Sequence, residues 1–146
     1  MTSVLLVDPF TDEREMYMYC LCAAGFEVRP FSDSHLAWRA ALHLAPDVIV
    51  ARLRQLQRPD GIELTRRFRK RNATDRIPIV IITTSIRRED RRAARRAGCD
   101  SYLLLPCLPD VLVAEVERLT SIRVRTRTPH TISSRGWGVV RRHDSR

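Results

Sequence analysis

Apolar residues along the first 121 positions recur in two alternating patterns. Short unbroken runs, Val4 to Val7, Val48 to Ala51 and Ile79 to Ile82, have the length of strands. Each is followed by a longer stretch in which apolar positions return every three or four residues, the period of a helix buried on one side. Glu27 to Phe31 and Tyr102 to Leu105 complete five strands. The first helix opens on Asp12, Glu13 and Glu15, which suit the positive end of a helix dipole. It turns Met16, Tyr17, Cys20, Leu21 and Ala24 toward a sheet and stops at Gly25. The second carries Leu36, Ala37, Ala40, Ala41 and Leu44, with Ser32 or Ser34 as its cap and Pro46 at its end. The third covers Ile62 to Arg71 with Leu64 and Phe68 four apart. The fourth covers Arg87 to Ala97 and closes at Gly98, and Leu112, Val116 and Leu119 mark the fifth.

Five strand-then-helix units predict an α/β fold, because right-handed crossovers return each strand parallel to the last and lay the helices over both faces of the sheet. An unbroken apolar run such as Val48 to Ala51 fits a strand covered on both sides, so it is read as the sheet centre. The expected architecture is a doubly wound, flavodoxin-like five-stranded parallel sheet of order 2-1-3-4-5. The folded domain is placed at 1-121. From Ile122 the periodicity disappears, and 122-146 is read as a basic, flexible tail with seven arginines against the single acid Asp144.

Composition narrows the function classes. A chain of 146 residues suits one core, and no apolar run approaches the roughly 20 residues of a membrane span. No basic lead-in or long apolar segment opens the chain, so a cytoplasmic location and no membrane partner are expected. Cys20, Cys22, Cys99 and Cys107 lack CxxC spacing, which argues against a metal or disulfide role; no cofactor is expected. The net charge of +9 rests on arginine, with Lys70 the only lysine. It fits nucleic-acid affinity or a general bias toward arginine equally well.

The string Val4-Leu5-Leu6-Val7-Asp8, then Pro46-Asp47-Val48-Ile49-Val50, Asp60-Gly61, Pro78-Ile79-Val80-Ile81-Ile82-Thr83, Ala97-Gly98, Tyr102 and Pro106, resembles the response-regulator receiver family over residues 3 to about 120. The resemblance implies a phosphorylation site. Two acids after strand one would hold magnesium, and an aspartate ending strand three would be the nucleophile. A hydroxyl residue ending strand four and a lysine ending strand five would hold the phosphoryl oxygens.

Three of those five positions are changed here. Asp8 keeps the first acid, but Pro9 stands at the second and offers a metal no side-chain oxygen. Arg52 stands at the nucleophile, and a guanidinium only donates. Counting back from Asp60-Gly61 moves the match to Leu53, yet none of Ala51, Arg52, Leu53 or Arg54 is acidic. Asp47 and Asp60 lie a strand away and in the following loop. Thr83 keeps the hydroxyl, whereas Leu105 replaces the lysine before Pro106. The expected function is a phosphorylation-independent, pseudo-receiver interaction module with no catalytic residue and no bound metal. The alternatives are a conventional receiver using another acid, or a nucleic-acid-associated protein acting through its arginine-rich tail.

Asp8 and Arg52 have two readings: an ordinary ion pair at the ends of adjacent strands, or a fixed cation that replaces metal and switch with a permanent state. Thr83 is either a capping threonine or a retained signalling group, and Tyr102 either packing or the family's mobile aromatic. Arg87, Arg88, Arg91, Arg92, Arg95 and Arg96, with Tyr102, form a candidate partner face for an acidic protein of a signalling pathway. That face, made of the fourth helix, fifth strand and fifth helix, would also serve a homodimer. Glu89 and Asp90 interleave with these arginines, so the run also reads as a solvated helix surface. The tail from Arg123 to Arg146, with Trp137, is the candidate nucleic-acid contact.

Overall fold

The computed structural model describes residues 1–126, and their side chains as far as Ser121. Ten elements alternate along it: β1 (Ser3–Val7), α1 (Thr11–Ala23), β2 (Glu27–Phe31), α2 (Ser34–Leu44), β3 (Val48–Arg52), α3 (Gly61–Arg69), β4 (Ile79–Thr83), α4 (Arg88–Ala97), β5 (Ser101–Leu104) and α5 (Pro109–Thr126). All strands pair in parallel in the order β2-β1-β3-β4-β5, which is the expected topology.

Each inner strand is buried on both faces because successive side chains point to opposite sides. On one side Leu5, Val7, Ile49, Ala51, Ile79, Ile81 and Tyr102 meet Ala37 and Ala41 of α2, Leu64 and Phe68 of α3 and Ala94 of α4. On the other, Val4, Leu6, Val48, Val50, Val80, Ile82 and Leu103 meet Tyr17 and Leu21 of α1 and Leu112, Val116 and Leu119 of α5. The register pairs Val7 with Ala51, Arg52 with Ile82 and Thr83 with Leu104. The residues that end or follow β1, β3, β4 and β5 therefore emerge at one edge of the sheet.

Local differences from expectation have local causes. Of the α1 face only Tyr17 and Leu21 are buried, while Met16 and Ala24 are exposed. The buried stripe runs through 14, 17, 18 and 21, toward α5, leaving Met16 on its flank. In α2 the cap is Asp33, whose carboxylate accepts from the backbone N–H of His35 at 2.7 Å and Leu36 at 3.1 Å. Ser34 is instead the first helical residue, and its hydroxyl donates to the Pro59 carbonyl at 2.6 Å. Leu36, expected on the buried stripe, is 52% exposed because Ala37 and Ala41 carry that stripe. β5 begins and ends one residue earlier than expected, so Leu105 follows the strand, and α5 continues past Ser121 to Thr126.

Gly61 starts α3 against the end of β3. A Cβ there would come within 2.7 Å of the Arg52 carbonyl oxygen and 2.8 Å of Leu53 Cα. Asp60 caps the helix by accepting from Glu63 N–H at 2.8 Å. This close approach holds the backbone from which the Arg52 side chain projects.

Candidate functional site

Asp8 follows β1 and is fully buried. Its N–H donates to the Phe31 carbonyl, and its Oδ1 accepts from Phe10 N–H at 2.9 Å. Arg52 ends β3, and its Nε lies 3.2 Å from the same Oδ1. The Nε–H does not point along that line, so the contact is an ion pair without a formed hydrogen bond, and Asp8 Oδ2 is left without a partner. Arg52 Nη2 stands 4.0 Å from Glu13 Oε2, and its guanidinium carbon lies 4.7 Å from the centre of the Phe10 ring. Gln55 donates to the Arg52 carbonyl at 2.8 Å, and Arg14 donates to the Asp8 carbonyl at 2.8 Å. Arg52 thus lies between two carboxylates with an aromatic ring against it.

Burial pushes the Asp8 carboxyl above its ordinary value of 3.8, and the Phe10 N–H and the Arg52 charge only partly oppose that. Behind it the Tyr17 hydroxyl, buried and near Cys107, is pushed up to about 12.

Thr83, also buried, accepts from Ser85 N–H through Oγ1 at 3.0 Å. Leu105 donates its N–H to the Thr83 carbonyl at 2.7 Å and packs its side chain into the layer under α1 and α5. The five positions singled out in the sequence, Asp8, Pro9, Arg52, Thr83 and Leu105, therefore share one end of the sheet. Of these side chains, Asp8 and Arg52 form the ion pair.

Magnesium, which the resemblance implied, does not fit these residues. A hard dication needs several oxygens, and Asp8 Oδ2 is a free buried oxygen, but Pro9 supplies none and a guanidinium lies beside the same carboxylate. Among the described residues no cluster of His, Cys, Asp and Glu is arranged to hold a metal. The two acids weighed from the sequence as substitutes are engaged elsewhere. Asp47 at the opposite end of β3 accepts from Ser3 N–H at 2.8 Å, and Asp60 is the α3 cap.

The arginine-rich face divides. Arg87 lies 3.8 Å from Glu89, and the Arg91 guanidinium carbon lies 5.3 Å from the centre of the Tyr102 ring. Arg88, Arg92, Arg95 and Arg96 are exposed. Tyr102 has no exposed surface and donates its hydroxyl to the Ser85 carbonyl at 3.1 Å, so it lies under the face rather than on it. The residues from 127 onward, including Trp137 and most of the expected basic tail, lie outside the described residues.

Sequence reasoning missed Glu13, Phe10 and Gln55 as neighbours of Arg52. Glu13 was visible only as an acid near a helix start, and its reach back to β3 depends on where α1 begins.

The model of the response regulator receiver domain family matches residues 4–117. The phosphate regulon transcriptional regulatory protein PhoB of Pseudomonas aeruginosa is 31% identical over 124 residues, which is 85% of this chain and 52% of PhoB. The chain therefore spans about half the length of that relative. Among solved structures, the Vibrio cholerae chemotaxis protein CheY4 superposes with a TM-score of 0.76 at 27% identity, covering 82% of this chain and 98% of that one. The receiver domain of sensor histidine kinase PA1611 from Pseudomonas aeruginosa PAO1, solved with magnesium coordinated in its active site cleft, gives 0.76 at 26% identity over 82% and 98%.

Proposed function

We propose, since the chain belongs to the response regulator receiver domain family, that it is a two-component signalling module which binds its partner in one fixed state, without being phosphorylated. The observation that carries this is the buried Arg52–Asp8 pair: a permanent cation ends β3 where the family has its nucleophile. A guanidinium has no lone pair free to attack phosphorus. Pro9 beside Asp8 removes an oxygen a metal would need, and Leu105 removes the cation that would read a phosphoryl group. With Glu13 on its other side and Phe10 against it, Arg52 keeps its charge in the place a metal would otherwise take.

In this reading the output surface is always presented, and the partner is another protein of the pathway or a second copy of the chain. Asp8 and Thr83 are kept as structural groups, Asp8 as the counter-ion of Arg52 and Thr83 as the turn acceptor for Ser85.

Treating the full chain with acetyl phosphate and magnesium and weighing it intact tests this. No phosphoryl adduct is expected on the wild type, nor on Arg52→Asp, because Pro9 and Leu105 remain. A stable acyl phosphate on the wild-type chain overturns the reading.

A further inference from the structure

We propose that the outward face of α4 is a binding surface for the phosphate backbone of a nucleic-acid duplex. At about 100° per residue, buried Ala94 and Ala97 set the inward direction of the helix. Arg88, Arg92, Arg95 and Arg96 then fall within an arc of about 100° on the opposite side, and all four are exposed. Of the two acids in the helix, Asp90 lies off this face and Glu89 stands at its edge. Asp90 accepts the Ser85 hydroxyl, and Glu89 turns to Arg87. Among the described residues, none of Arg88, Arg92, Arg95 and Arg96 has an ion pair.

The neighbouring helix extends the same charge. Arg69 of α3 donates to the carbonyl of Gly98, the α4 cap, at 2.9 Å, tying the C-terminal ends of the two helices together. Arg66 and Lys70 of α3 are exposed, and Arg66 and Arg67 share the one carboxylate of Glu63.

Such an array works against folding. Arg88 and Arg92, Arg91 and Arg95, and Arg92 and Arg96 are like charges four apart on one helix, a spacing that destabilises it. No ion pair among the described residues engages the four outward charges, so they stand ready to meet an external anion.

The chemistry of the face selects the anion. Protein interfaces rest on a core of large apolar or aromatic anchors, and here the outward residues of α4 are arginines with none among them. Of the large exposed apolar side chains, Met1, Met16, Tyr19, Leu36, Leu56 and Leu108 lie on other segments, and Ile86 precedes the helix rather than standing among its outward arginines. Arginine forks match phosphate oxygens in pairs. From Arg88 to Arg96 the helix advances about 12 Å at 1.5 Å per residue, near the width of a duplex major groove. A regular row of phosphates meets these charges without needing any apolar complement, and it is read for charge rather than sequence.

This surface goes beyond the fixed-state reading and does not depend on it; an acyl phosphate on the chain would leave it standing. The test uses the full chain and its Arg88→Gln, Arg92→Gln, Arg95→Gln, Arg96→Gln variant, titrated against a fluorescent DNA duplex, an RNA duplex of equal length and polyglutamate across a salt series. Glutamine keeps nearly the same helix propensity, and circular dichroism checks the fold. Wild-type affinity for a duplex is expected to fall steeply with salt, and the variant's log–log slope to be shallower by about one for each arginine removed. At low salt the variant should bind at least about tenfold more weakly. Amide shifts in the wild type on adding duplex should centre on 88–96, a readout independent of how the variant folds. An unchanged slope in a folded variant, shifts confined to other elements, or binding to polyglutamate but to neither duplex each overturns the proposal.

Discussion

Arg52 and Asp8 each solve a problem the other creates. An ionised carboxyl with no exposed surface is costly, and the cation 3.2 Å away offsets only part of that cost, which is why the Asp8 carboxyl sits above its ordinary value of 3.8. An acid raised in the folded state holds its proton there longer than in the unfolded chain. Its contribution is therefore most favourable below 3.8 and is lost as pH rises through the raised value. Replacing Arg52 by methionine keeps the stem but leaves Asp8 without its nearest cation. We expect Arg52→Met to lose about 3 kcal/mol near neutral pH, at the low end for truncating one partner of a buried pair. The loss should shrink as pH falls toward 4, where Asp8 in the variant is already protonated. Urea midpoints measured across that range check this, and a loss of constant size at every pH would show that Arg52 acts by packing alone. At this scale the positions at strand ends were legible in the sequence, and the side chains that reach them from elsewhere were not. Asp8, Pro9, Arg52, Thr83 and Leu105 could be placed because each ends or follows an apolar run whose limits are legible. Glu13 and Phe10 could not, since their contacts with Arg52 depend on the angle at which α1 leaves β1.

Among elements, strands were the easier to read because burial on both faces leaves no polar position to break the run. Helix starts were harder where several capping residues adjoin. Ser32, Asp33 and Ser34 are all good caps in isolation. The choice falls to Asp33 because the Ser34 hydroxyl is drawn to the Pro59 carbonyl on the β3–α3 loop, a contact 25 residues away that no local pattern announces. Asp33→Ala should therefore cost about 1 kcal/mol in a denaturant titration, while Ser32→Ala should be close to neutral. Equal losses at both positions would mean that the cap is shared. The same logic explains Leu36 and Met16, which keep the helical period but lie on the edge of a stripe narrower than five apolar residues suggest. Composition is what misled there, since small Ala37 and Ala41 lie closest to the sheet.

For the whole molecule, topology followed from the order of elements and the handedness of crossovers, which needs no side-chain detail. The outer boundary is a different matter, because α5 runs past Ser121 to Thr126 with no break in the chain's pattern to announce where it ends. Among the described residues, every buried side chain of both layers falls between Val4 and Leu119. A chain cut after Thr126 therefore keeps every residue of the two described layers and the Asp8–Arg52 pair. It should still unfold in one cooperative step in a denaturant titration. The cut also removes Arg127, Arg135, Arg141, Arg142 and Arg146 while sparing every arginine of α4. If α4 is the phosphate-binding surface, the shortened chain keeps a salt-dependent affinity for a duplex, and substituting Arg88, Arg92, Arg95 and Arg96 within it abolishes what remains. A shortened chain that folds normally yet no longer binds any duplex would move the interaction off α4 and into the segment removed.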